Sequence, residues 1–272
     1  MKKHISFRSS ELLNSLNSMN QSFFTIKDAQ EVLQNNTEEA VRRLLIYMAQ
    51  KGLLLRIKDG LYHIIPFEKD VDSYFPNWHL TAEAMVHPQN YYIAFYSALD
   101  IHGLVTQPSL KEQIVTQNQM VPKVKIVKQV KFEFITLSNK RFFGYEKNWI
   151  DDFNKIFCSD LEKTIIDCLY KPAYANGIVE IVKAIYKSKE KINAGKMLSY
   201  LKRFDTQVVY KRLGFLLRHL NILQTLSSEI QSKLSSSYAL LDPTLPKNGK
   251  HNSEWKMIDN IGIEAVLKSI ET

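Results

Sequence analysis

The sequence predicts an α+β protein in two parts: a winged helix-turn-helix domain over residues 1–68, then a larger mixed α/β domain over residues 69–272. In the second part strands are expected at about 113–143 and helices at about 159–222. Three features point to this class. Capped amphipathic segments fill residues 9–50. The stretch LLLRIKDGLYHIIP at 53–66 has the pattern of a tight hairpin. Strand-like runs then precede a long helical stretch that begins at Ser159.

Ser9 or Ser10 is placed to cap a first helix reaching about Met19, with Leu12, Leu13 and Leu16 on one stripe. After Asn20-Gln21-Ser22, Thr25 caps a short second helix to about Leu33, and Asp28 suits its positive end. Asn35-Asn36 breaks that helix, and Thr37 caps a third with Glu38 and Glu39 in its first turn. At about 100° per residue, Val41, Leu44, Leu45 and Met48 gather on one side of this third helix. The opposite side presents Glu39, Arg43, Ile46 and Gln50, flanked by Arg42 and Tyr47, and Gly52 closes the helix.

Asp59-Gly60 between two apolar runs supplies the positive φ angles of a type I′ turn. A two-residue loop there pairs Lys58 with Leu61, Ile57 with Tyr62, Arg56 with His63 and Leu55 with Ile64. Side chains alternate faces along a strand, so Leu55, Ile57, Tyr62 and Ile64 form an apolar side and Arg56, Lys58, Leu61 and His63 a largely basic one. Pro66, which donates no ladder hydrogen bond, ends the second strand. In winged modules the third helix enters the major groove and the hairpin touches phosphates. Arg42, Arg43, Tyr47 and Gln50 are therefore the candidates for groove contact, with Lys27, Arg56 and Lys58 for phosphate.

Beyond the hairpin, Tyr74-Phe75-Pro76-Asn77-Trp78 reads as a docked linker, and a helix is expected over Ala94–Ile101 before Gly103. Strands follow at Gln113–Thr116, Val124–Val127 and Lys131–Leu137. Helices are expected at Ser159–Tyr170, Ile178–Tyr186, Ala194–Phe204 and Gln207–Leu220, with Ser159 and Glu162 as a capping box and Thr206 capping the last. In that last helix Val209, Leu213, Leu216, Leu217 and Leu220 form the buried stripe, while Lys211, Arg212 and Arg218 are expected to stay wet. A Ser-rich loop from Ser227, a strand near Glu254–Ile258 and a short helix complete the chain.

With 45% apolar and 24% charged residues the composition is that of an ordinary globular protein. No apolar run approaches the roughly 18 residues of a membrane span, and the N-terminus lacks a signal-peptide core, so a cytoplasmic location and no membrane partner are expected. Cys158 and Cys168 have no ligand-like spacing and read as buried packing residues in a reducing compartment. The 36 basic and 28 acidic side chains leave +8, which suits a polyanionic partner. Residues 1–70 hold only 10 basic against 8 acidic, however, while Val121–Lys147 holds seven against two and Lys183–Arg218 ten against two. Lys123, Lys125, Lys128, Lys131, Lys211 and Arg212 are accordingly candidates for additional phosphate contact. For the strand lysines the alternative is a charged edge that resists aggregation.

Six motifs then occur in one order: the winged helix, the Asp-Gly-Leu-Tyr hairpin with its Pro, Ser97-Ala98-Leu99 followed by His102-Gly103-Leu104-Val105, Asp160-Leu161-Glu162-Lys163-Thr164-Ile165-Ile166-Asp167, Pro172 with Asn176-Gly177-Ile178-Val179-Glu180, and Arg212-Leu213-Gly214-Phe215-Leu216-Leu217. This order resembles the AbiEi-type antitoxins of type IV toxin–antitoxin (abortive-infection, phage-defence) systems, over roughly residues 10–260. The resemblance implies a transcriptional autorepressor that binds double-stranded DNA at inverted repeats in its own promoter. It also implies a C-terminal domain that counteracts a cognate nucleotidyltransferase-like toxin, with no cofactor and no catalysis.

Two other classes stay open from the sequence. One is a winged-helix protein-interaction module without DNA binding. The other is a restriction-type nuclease, because Asp160, Glu162 and Lys163 resemble half of such a motif and Glu133 offers a further carboxylate. The seven histidines show no metal-ligand spacing, and no phosphate-cradling glycine loop or nucleophile elbow occurs.

Overall fold

The computed structural model describes residues 5–34 and 36–271, so the expected break at Asn35 lies outside the described residues. The chain forms a mixed α and β structure of two compact units. One holds the chain to Pro88 together with Ile126–Val130, and the other holds Gln89–Lys125 with Lys131 onward.

In the first unit, α1 (Phe7–Ser18), β1 (Phe23–Thr25), α2 (Ile26–Val32) and α3 (Glu38–Gln50) precede the hairpin of β2 (Leu54–Lys58) and β3 (Leu61–Ile64). Ser6, rather than Ser9 or Ser10, caps α1 by accepting the Ser9 backbone N–H at 3.2 Å. Ser9 itself is buried, and its hydroxyl lies 2.8 Å from that of Ser6. Thr25 and Asp28 form a reciprocal capping box on α2, and Thr37 accepts the Ala40 N–H on α3. Each cap satisfies donors that a helix start otherwise leaves orphaned. Leu12, Leu16, Phe24, Val41, Leu45, Met48 and Tyr62 fill the core.

The hairpin departs from the expected register. Lys58 pairs with Leu61, but a bulge between Arg56 and Lys58 then sets Arg56 opposite Tyr62, Leu55 opposite His63 and Leu54 opposite Ile64. A bulge adds one unpaired residue and re-aims the side chains beyond it. The strict two-face alternation therefore fails: Leu54, Ile57, Leu61, Tyr62 and His63 are all buried, and Leu55 and Ile64 are half-buried. β1 adds a third strand in the order β1-β3-β2, with Phe23 opposite His63 and Phe24 opposite Tyr62. The supposed linker continues into a further helix, α4 (Trp78–Val86), capped by the Asn77 side chain.

A six-stranded sheet runs in the order β6-β7-β5-β4-β9-β8, and apart from Ile126, Val127 and Val130 its residues belong to the second unit. Its strands are β4 (Tyr91–Ile93), β5 (Lys111–Thr116), β6 (Val124–Val127), β7 (Val130–Thr136), β8 (Tyr145–Trp149) and β9 (Lys155–Ser159). The sheet is mixed: β4 runs antiparallel to β5 and parallel to β9, and β5 runs parallel to β7. Helix α5 (Phe95–Ile101) follows β4. The helical end comprises α6 (Leu161–Tyr170), α7 (Ile178–Ser188), α8 (Ala194–Phe204), α9 (Gln207–His219) and α10 (Gln224–Gln231). A small sheet of β10 (Ala239–Leu240), β11 (Lys250–Asn252) and β12 (Met257–Asp259) follows, and then α11 (Ile263–Glu271).

The cap of α6 is Asp160, which accepts the Lys163 N–H at 3.0 Å; the expected Ser159 ends β9 and bonds Thr164 instead. Thr206 stands at the expected N-cap of α9, but its hydroxyl is taken by Arg141 at 3.0 Å. Gly214 on α9 lies against Trp255 so closely that an added Cβ would meet Trp255 Cζ3 at 2.1 Å. Among the described residues, no helix is long and apolar enough to cross a membrane.

Candidate nucleic-acid interface

Of the predicted stripe on α3, Val41, Leu45 and Met48 are inside and Leu44 is half-buried against them, and Glu38, Glu39, Arg42, Arg43, Ile46, Tyr47 and Gln50 are exposed. The helix therefore presents one continuous outer face that holds all four groove candidates. Ile46 is half exposed, and Tyr47 shares that face with the Lys51 ammonium 5.6 Å from its ring.

The charges on this face are not free. Arg42 donates from Nε and Nη2 to Glu38 Oε1 at 2.9 and 2.7 Å, and Arg43 Nη2 stands 3.7 Å from Glu39 Oε1. On the hairpin, Arg56 Nη2 meets Asp59 Oδ1 at 2.5 Å. Exposed pairs of this kind are weak, typically about 0.2–1 kcal/mol, so a better acceptor displaces them readily. Lys58 is half-buried and donates to the Met85 carbonyl at 2.6 Å, while Lys27 is exposed at the start of α2.

One buried titratable group belongs to the hairpin itself, on β3. His63 is 5% exposed; its Nε2 lies 2.9 Å from the Tyr74 hydroxyl, and its ring packs 4.4 Å from that of Phe23. Burial lowers its pKa to about 4, so the ring is neutral at neutral pH. Strict alternation places His63 on the basic outer side; the rings of Phe23 and Tyr74 cover it there, so that it is buried all the same.

The additional phosphate candidates divide sharply. Lys123 is exposed and Lys125 half-buried on the Lys-rich hairpin, and Lys131 pairs with Glu133 at 2.6 Å. Lys128 donates to the carbonyls of Val71 and Tyr74, the latter at 2.8 Å. Lys211 and Arg212, expected to be wet, are 1% and 3% exposed. Lys211 Nζ donates to Ser235 Oγ and the Ser237 carbonyl, and Arg212 donates to the carbonyls of Leu169 and Leu240. Both long side chains turn inward because the Ser-rich segment and β10 fold over α9 and offer carbonyls that would otherwise be orphaned. Periodicity alone marks them as polar, hence outward, and no local signal in the sequence reveals the covering segment.

The second unit also contains a cavity of about 430 Å³ lined by His102, Glu146, Asn148, Asp160, Glu162 and Lys196, among others. Lys196 bridges Asp160 at 3.3 Å and Glu162 at 3.0 Å, Tyr200 donates to Asp160 at 2.8 Å, and the Asn193 N–H donates to Glu162 at 2.8 Å. Desolvation lowers the Lys196 pKa, but the two carboxylates outweigh it and the net shift is upward. The Lys163 ammonium points elsewhere, into the core, where it pairs with Asp167. The nuclease-like trio of Asp160, Glu162 and Lys163 is thus adjacent in sequence but divided between two environments. Glu133 is engaged by Lys111, Lys131 and Gln113.

No family model matches the chain, and no curated protein matches it. Among solved structures, the chain is similar to the crystal structure of the RV2827C protein from Mycobacterium tuberculosis, with a TM-score of 0.73 and 12% identity. The match covers 100% of this chain and 97% of that one. At that identity the likeness is one of fold.

Proposed function

We propose that the first unit is a winged helix-turn-helix and that the chain is a cytoplasmic, DNA-binding autorepressor that also serves as an antitoxin. The observation that carries the DNA-binding half is the single outer face of α3, where Arg42, Arg43, Tyr47 and Gln50 are exposed together ahead of the β2–β3 hairpin. Arginine there suits the O6 and N7 acceptors of guanine, and Gln50 suits adenine. The order α2, α3, hairpin is that of a reading helix followed by a wing. The antitoxin half, directed at a nucleotidyltransferase-like toxin, is supported by the ordered motifs from the hairpin through Arg212–Leu217.

A gel shift with the DNA upstream of the chain's own reading frame, against random duplex of equal length, tests the first half. A retarded own-promoter band that outlasts random competitor is expected; no band with either duplex overturns it. Co-expression with the toxin encoded beside the chain tests the second, and growth arrest that the chain fails to relieve overturns it. A second reading, an interaction module without DNA binding, is favoured by one observation: Arg42, Arg43 and Arg56 each have a carboxylate partner in the same unit. The same gel shift separates the two.

A further inference from the structure

The outer face of α3 carries two carboxylates and two guanidinium groups in matched register, Glu38 with Arg42 and Glu39 with Arg43, each one turn apart. Both carboxylates lie in the first turn, where the helix leaves N–H groups unsatisfied and its dipole is positive. That end would otherwise attract phosphate. Two negative charges occupy it instead, on the very helix whose other exposed residues suit a duplex.

We infer, on the DNA-binding reading above, that Glu38 and Glu39 are specificity-determining residues: they hold Arg42 and Arg43 away from phosphate and release them only to base edges. The energetics favour this division. An exposed pair one turn apart shifts an equilibrium only about two-fold, so it opens when a better acceptor arrives. A bidentate arginine–guanine contact discriminates by roughly five-fold to a hundred-fold, which exceeds the pair it replaces. A phosphate contact does not compensate in the same way, because the carboxylate left beside the backbone repels it. Random duplex offers phosphate everywhere but guanine edges in register only by chance, and is penalised; the cognate site offers both. Selectivity here comes from a repulsive element against the wrong partner.

The test uses the full chain with Glu38→Gln and Glu39→Gln together. Binding is read by fluorescence anisotropy on the chain's own upstream duplex and on random duplex, over a range of salt. Affinity for random duplex is expected to rise on the order of ten-fold, with a steeper salt slope. Affinity for the upstream duplex should rise much less, so the ratio between them falls. The charge-preserving pair Glu38→Asp and Glu39→Asp should keep the ratio, as should Glu11→Gln, an exposed carboxylate on α1. A ratio unchanged in the Gln variant overturns the inference while leaving DNA binding intact. A wild-type chain that binds neither duplex overturns the DNA-binding reading, and this inference with it.

Discussion

Lys163 and Asp167 form an ion pair one turn apart on α6 with both side chains entirely out of solvent. The Tyr92 hydroxyl completes the group: it receives a hydrogen bond from Lys163 at 2.8 Å and donates one to Asp167 at 3.1 Å. Rings of Tyr92, Phe143 and Phe204 surround the ammonium at 5.0–5.4 Å. Desolvation is the dominant influence on both charged partners, lowering the lysine pKa and raising the aspartate. Lys163→Met or Asp167→Leu alone strands the other partner and should cost about 3–5 kcal/mol, whereas the two together should cost far less than the sum of the singles. Urea denaturation of the three variants checks this; additive losses would contradict it.

Arg43→Ala removes a guanidinium that is 72% exposed on the outer face of α3. A loss of about 1–3 kcal/mol in affinity for the upstream duplex is expected, with relaxed preference at one base position. Titration against single-base variants of the site measures both. Equal affinity for cognate and random duplex before and after the change removes Arg43 from the reading surface.

The hairpin should be acid-sensitive through His63. Its pKa is 6.5 when unfolded and about 4 when folded. The folded state therefore disfavours protonation, and its stability is complete above about pH 6.5. Stability declines as pH falls from about 6.5 towards 4 and then levels off, with a total loss of roughly 3 kcal/mol. His63→Gln should flatten that part of the stability–pH curve relative to wild type. Parallel curves for the two proteins would show that His63 does not titrate as described.

Gly214 cannot accept a methyl group without moving Trp255, which is itself 1% exposed, or Ile230, 2.9 Å from the same Cβ position. Gly214→Ala is expected to destabilise by about 1–3 kcal/mol through overpacking. Combined with Trp255→Leu, it should be milder than the two single losses added together. Thermal midpoints of the singles and the double decide the matter.

Charge neutralisation separates surface cations from buried ones. Replacing Lys123 and Lys125 by Gln should lower the magnitude of the log-affinity versus log-salt slope by up to about 0.9 for each phosphate left unneutralised, with little effect on folding. Replacing Lys211 by Met should instead reduce stability, because Ser235 and Ser237 are then deprived of their donor. A slope unaltered by the first pair assigns those lysines to solvated surface.

What the sequence made legible was local. Thr25 with Asp28, Thr37 ahead of Glu38, and the stripe Val41, Leu45 and Met48 depend on residues within a turn of one another, and each appears where capping and periodicity place it. Asp59-Gly60 likewise locates the hairpin turn. The bulge beyond it was hidden, because two-residue periodicity assumes an unbroken ladder and contains no information about which strand accommodates an extra residue. β4 is illegible in the sequence because it is three residues long and pairs with a distant strand, as Ile93 does with Cys158. β8 and β9 pair locally with each other, but the polar run Glu146-Lys147-Asn148 and the exposed Trp149 of β8 hide the two-residue alternation that marks a strand. The outer face of α3 was therefore readable residue by residue, whereas the engagement of Lys58 by Met85 and the burial of Lys211, Arg212 and His63 depended on segments distant in sequence.

The inward cations of α9 have a consequence for how short this chain could be made. Lys211 reaches Ser235 and Ser237, and Arg212 reaches Leu240, so two consecutive residues of one helix anchor a strap more than twenty positions downstream. Cutting the chain before that strap would strip the Lys211 ammonium of Ser235 and Ser237 and leave the Arg212 guanidinium only the Leu169 carbonyl. An apparently dispensable serine-rich tail is in effect the keystone of the arch it closes.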